Sequence, residues 1–129
     1  MLAAAPASAQ QVPKAIADIP FEQNLGQQAP LDASFRDDAG ADVTLGDLLH
    51  GKPAVLVLGY GRCPRLCSLV LANLVSSLTK VTPSVGADFS VIDVSIDPHE
   101  DPEMGREAKK TAGERYGRGS PDGWHFLFQ

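Results

Sequence analysis

The chain has 129 residues, 43% of them apolar, and a formal net charge of −5. That length suits one domain and not two. The acidic balance argues against nucleic acid, which needs a basic face, and no apolar run is long enough to span a bilayer.

The N-terminus reads Met-Leu-Ala-Ala-Ala-Pro-Ala-Ser-Ala, and Ala7-Ser8-Ala9 matches the small-residue cleavage pattern of a secretory signal. The basic segment and longer apolar stretch of a full signal are absent. Residues 1–9 are therefore read as a signal-peptide remnant, and 10–31 as an extended arm without a sustained period. This reading places the protein outside the cytoplasm, where cysteine pairs can be oxidised. The folded domain is then expected over 32–129.

Asp37-Asp38-Ala39-Gly40 is a turn signal between two short extended pieces, and predicts a small hairpin over Phe35–Val43. Thr44-Leu45-Gly46-Asp47 has the form of a capping box, opening a short helix through Leu49 that Gly51 and Pro53 end. Ala54–Gly59 is a continuous apolar run and predicts a strand buried on both faces. Cys67, Val70, Leu71, Leu74, Val75 and Leu78 recur at steps of three and four, one face of a helix ending near Lys80. Phe89–Ile96, rich in β-branched residues, predicts a second strand. Asp101-Pro102-Glu103 is a helix start, with the helix running to Tyr116 and Gly117 following it. A third strand begins over Trp124–Phe128. Strand, helix, strand, helix, strand implies an α/β domain with parallel strands. Phe126 and Phe128 should share one face of that last strand, opposite His125 and Leu127. With nothing beyond Gln129 to cover it, one face and an unpaired edge are expected to be exposed, inviting aggregation or pairing with another chain.

The two cysteines, Cys63 and Cys67, lie four apart between the first buried strand and the following helix. A local pair points to redox or metal chemistry rather than to a disulfide scaffold. Pro64 suits the first helical position, which would put Cys63 near the N-cap and Cys67 in the first turn. Free amide N–H groups there, with Arg62 and Arg65 nearby, favour thiolates. Residues four apart on a helix share a face, so the two sulfurs could meet on one soft ion or close a disulfide. Thiolates prefer copper(I) or zinc to hard cations. Two buried structural thiols are the alternative. It suits Cys67, on the apolar face, but suits Cys63 poorly, beside Gly61, Arg62 and Pro64. A closed structural zinc site would need four ligands.

Gly59-Tyr60-Gly61-Arg62-Cys63-Pro64-Arg65-Leu66-Cys67 resembles the strand end and C-P-x-x-C segment of the Sco/SenC family. Ser68–Leu74 resembles the start of that family's next helix, and Val94-Ser95-Ile96-Asp97-Pro98 its second strand and Asp-Pro turn. Pro30–Asp37, Gly51-Lys52-Pro53 and Gly123–Leu127 extend the likeness over about Leu25–Leu127. The resemblance implies a thioredoxin-like fold, a parallel-containing sheet flanked by helices, here incomplete at the C-terminus. It implies a periplasmic or equivalent setting, with attachment to a membrane through a segment absent from this chain. It also implies delivery of copper to the dinuclear copper centre of cytochrome c oxidase, with that enzyme's copper-bearing subunit as partner, or reduction of thiols at that centre. The family's metal-binding cysteines carry over to Cys63 and Cys67, and its outer-shell Asp to Asp97. Its histidine ligand lies in a later loop, and no residue here holds that position. Ser68 also stands where many members have Pro.

Other histidines fill that gap poorly. His50 ends a short helix, where its charge meets the helix dipole. His99 lies in Asp97-Pro98-His99-Glu100-Asp101, a loop that follows a parallel strand and so can face the cysteines, although a solvated acidic loop is the plainer reading. His125 is assigned to packing or surface. The acidic run lacks the spaced ligands of a calcium loop and is read as a helix N-terminus. The sequence thus favours a copper metallochaperone, not an enzyme, with Cys63 and Cys67 as metal ligands. The alternatives are a thiol–disulfide oxidoreductase, in which the same two cysteines are catalytic and act on other thiol–disulfide proteins, and a truncated copy that binds nothing. The three-residue spacer departs from C-x-x-C and favours metal. Peroxide chemistry, which wants one strongly activated cysteine, fits less well.

Overall fold

The computed structural model describes residues 22–62 and 67–129. The signal remnant and the arm as far as residue 21 lie outside the described residues, and the rest of the arm, 22–31, is exposed apart from any helix or strand.

The first folded unit is an antiparallel hairpin of β1 (Ser34–Arg36) and β2 (Asp42–Thr44), with Phe35 opposite Val43. Asp37 shapes its turn, since Oδ1 accepts the N–H groups of Ala39 at 2.9 Å and Ala41 at 2.8 Å. The expected capping box opens α1 (Leu45–Leu49): Thr44 Oγ1 accepts the Asp47 N–H at 3.3 Å, and Asp47 Oδ2 accepts the Thr44 N–H at 2.9 Å. The helix stops at His50, which takes the left-handed conformation at φ 47°.

Three parallel strands follow, β3 (Ala54–Gly59), β4 (Ser90–Ser95) and β5 (Trp124–Leu127), in the order β3-β4-β5. The crossovers are α2 (Cys67–Leu78) and α3 (Pro102–Tyr116). Both step the same way across the sheet, so crossovers of one hand put both helices on one face. There Val75, Ala112 and Tyr116 bury Val91, Trp124, Phe126 and Phe128. Gly105 brings α3 close to β5, because a Cβ there would meet the Phe128 ring at 2.7 Å. On the other face, Leu45 and Leu48 of α1 cover Ile92, Val94 and Leu127. The mixed α/β architecture read from the sequence is the one observed.

Three details correct that reading. First, β3 is not buried on both faces. Among the described residues it pairs only with β4, and Leu56 and Leu58 are 53% and 64% exposed. A continuous apolar run does not distinguish a central strand from an edge strand with one bare face. Second, Val70 faces solvent rather than the core, whereas Leu71, Leu74, Val75 and Leu78 pack inward. Third, the faces of β5 are divided as expected, but neither is bare. Phe126, Leu127 and Phe128 are all buried, and Arg36 and Phe128 exchange backbone hydrogen bonds of 2.9 Å each way. Asp38, in the hairpin turn, pairs with Lys109 of α3 at 3.3 Å and fixes the hairpin beside that strand.

Candidate functional site

In a parallel sheet, the loops that leave the strand ends converge at the C-terminal edge. Here the loop after Gly59 leads to the cysteine segment, and the loop after Ser95 leads to α3. The two stay together because the Gly59 carbonyl accepts the Ile96 N–H at 3.0 Å. Cys63, Pro64, Arg65 and Leu66 lie outside the described residues, as does the side chain of Cys67, whose backbone opens α2. The expected N-cap position of Cys63 and first-turn position of Pro64 therefore also fall outside them.

The described residues beside that segment form a polar cluster. Glu100 is buried, and its Oε1 accepts the Arg62 N–H at 2.7 Å. Its Oε2 accepts the Ser95 hydroxyl at 2.6 Å. Arg62 Nε lies 3.3 Å from the Met104 sulfur on α3. Asp93, two residues before Ser95, faces the same cleft, a cavity of about 410 Å³ whose other walls include Tyr60, Leu71, Met104 and Phe126. Burial pushes the Asp93 carboxyl up to about 6, and the negative charge of Glu100 adds to that. The acidic loop is thus only partly solvated, which corrects the sequence reading. Glu100 turns inward while its neighbours Asp101 and His99 stay exposed.

Asp97 Oδ1 accepts the His99 backbone N–H at 2.9 Å and lies 3.0 Å from His99 Nδ1. Those bonds, the backbone one first, hold the Asp97 carboxyl below its ordinary range. His99 is at the cysteine end of the sheet, but its side chain is 85% exposed and turned onto Asp97. His125 lies lower on β5, opposite Ile92, and burial lowers its pKa. His50 precedes β3 and belongs to the opposite end of the strands. Among the described residues, no three His, Cys, Asp or Glu side chains form a ready metal cluster.

Sequence reasoning missed Asp93, Ser95 and Glu100 as a group. Asp93 did carry a signal, as the one charged residue in the otherwise apolar strand Val-Ile-Asp-Val. Glu100 carried none, because its partners, the Arg62 N–H and the Ser95 hydroxyl, are brought to it by the packing of two loops distant in sequence.

A parallel sheet with two crossover helices on one face, and a cysteine segment leaving its C-terminal edge, defines a thioredoxin-like α/β protein. The SCO1/SenC family model matches residues 24–112. The chain belongs to that family. A curated relative, Protein SCO1 homolog 1, mitochondrial, of Arabidopsis thaliana, is 35% identical over 67 residues, which are 52% of this chain and 20% of that protein. The solved ScoI of the same plant, with copper bound, superposes with a TM-score of 0.58 at 25% identity, covering 74% of this chain and 54% of that one. A solved protein of Aquifex aeolicus VF5 gives 0.64 at 28% identity, covering 77% of this chain and 54% of that one. The chain thus spans about half the length of these solved proteins and a fifth of the curated relative.

Proposed function

We propose that this chain carries copper as cargo, held by the thiolates of Cys63 and Cys67. The reading extends to delivery to the dinuclear copper centre of cytochrome c oxidase, with the copper-bearing subunit as partner, in the periplasm or an equivalent compartment. One observation carries it: a chain of the SCO1/SenC family has its two cysteines on the segment that leaves the C-terminal edge of the sheet, and a relative with this fold binds copper. The donor chemistry agrees, since two thiolates suit soft copper(I). A third donor would come from a partner or from His99, at the same end of the sheet.

A copper(I) competition titration on the reduced chain tests this. One-to-one binding is expected, and Cys63→Ser and Cys67→Ser should each abolish it. Unchanged binding in both variants would sink the assignment. Parallel titration of His99→Ala asks whether that ring supplies the third donor; a weaker complex is the expected sign. The second reading, thiol–disulfide exchange with a partner's cysteines, uses the same pair. It takes over if the folded chain binds no copper yet forms a reversible Cys63–Cys67 disulfide.

A further inference from the structure

We propose that Glu100 is the positioning residue of the cysteine pair, fixing the main chain that delivers Cys63. The proposal rests on the reading that Cys63 and Cys67 are the reactive groups.

Its carboxylate joins three elements at one point. Oε2 takes the hydroxyl hydrogen of Ser95, at the end of β4. Oε1 takes the backbone N–H of Arg62, the residue immediately before Cys63. Its own backbone lies next to Asp101, the N-cap of α3, and its N–H reaches the Asp97 carbonyl at 3.2 Å. A buried carboxylate with both oxygens engaged is a stiff anchor, because releasing either partner would leave a buried charge short of a hydrogen bond. The anchored segment is built to approach it closely. A Cβ on Gly61 would stand 3.1 Å from Oε2 and 3.3 Å from Oε1, so a larger residue there would push the carboxylate or the loop by a few tenths of an ångström. Gly61 itself is exposed, and the loop is held here by the carboxylate together with the Arg62 Nε contact to the Met104 sulfur. The main chain therefore enters the cysteine segment from a point, Arg62, that Glu100 holds. Groups that orient metal ligands in this indirect way commonly change affinity by 10–100-fold when removed.

The experiment compares wild type with Glu100→Ala, Glu100→Gln and Gly61→Ala, all copper-free and reduced. Iodoacetamide labelling rates are read separately at Cys63 and Cys67 by mass spectrometry, and the Cys63–Cys67 disulfide is equilibrated against glutathione. Circular dichroism checks folding. Glu100→Ala should change the ratio of labelling rates and shift the disulfide equilibrium by about tenfold, about 30 mV for a two-electron couple. Glu100→Gln, which keeps an acceptor for Arg62, should stay near wild type. Gly61→Ala should move both readouts in the same direction as Glu100→Ala without touching the acid. A folded Glu100→Ala with wild-type values would overturn the proposal. If Glu100→Ala does not fold, Gly61→Ala decides: a shift supports the anchor, and no shift refutes it. These readouts need no metal, so failure of the copper reading would appear separately, as a wild-type chain that does not bind copper(I).

Discussion

Asp93 is a carboxyl group that folding places at a disadvantage. Its pKa rises from an ordinary 3.8 to about 6, chiefly through burial beneath the cleft. A folded-state pKa above the unfolded one means that the folded chain holds the proton more tightly. The stability linked to this group is then fully present below about pH 4 and is lost as pH rises through 6. Above that window the deficit is about 3 kcal/mol, at ~1.36 kcal/mol per unit. Asp93→Asn should therefore stabilise the chain at pH 7 by up to ~3 kcal/mol and change little at pH 4. Urea unfolding at pH 4, 5 and 7 checks this. Parallel pH profiles for the two proteins would show that Asp93 is ionised without penalty. The same residue shows where side-chain roles escape the sequence. A lone acid within an apolar strand is visible, but whether its environment is a wet cleft or a dry core depends on packing from elements far along the chain.

At the scale of elements, local signals were legible wherever the chain satisfies its own backbone. The capping box at Thr44 and Asp47, the Asp101-Pro102 start of α3 and the Gly117 stop are short-range devices, and all three are observed. Asp101 accepts the N–H groups of Glu103 at 3.0 Å and Met104 at 3.3 Å, relieving two donors that the helix leaves unpaired. Asp101→Ala should cost about 1 kcal/mol. It should also loosen the neighbouring Glu100, so thermal unfolding and the labelling ratio at Cys63 should change together. A stability loss with an unchanged ratio would separate the cap from the anchor. Long-range relations were less legible. The hairpin was read correctly, but its bridge to the end of β5 through Arg36 and Phe128 was not, because no local pattern records which strand a hairpin meets. The cysteine pair was legible as a spacing, and its supporting carboxylate was not.

For the whole molecule, the decisive asymmetry is between the two outer strands of the sheet. The hairpin meets the end of β5 at one bridge, Arg36 with Phe128, and the residues there are buried, whereas among the described residues β3 pairs only with β4 and shows Leu56 and Leu58 to solvent. An unpaired strand with apolar side chains is a template for pairing with another chain. The exposed apolar face expected of the last strand thus belongs to β3. Two substitutions separate the part of one sheet face that α1 covers from the part over β3 that it leaves bare. Ile92, fully buried under α1, should cost about 1 kcal/mol when shortened to valine. Leu58→Lys, on the uncovered β3 side of the same face, should change stability by no more than ~0.5 kcal/mol. It should also lower self-association, because a lysine on an edge strand discourages a second strand from docking. Denaturant unfolding reads the first effect and sedimentation velocity at rising concentration reads the second. Should Leu58→Lys unfold the domain, β3 would have to be covered in solution. Should association persist in a folded Leu58→Lys variant, the contact between copies would lie elsewhere than at this edge.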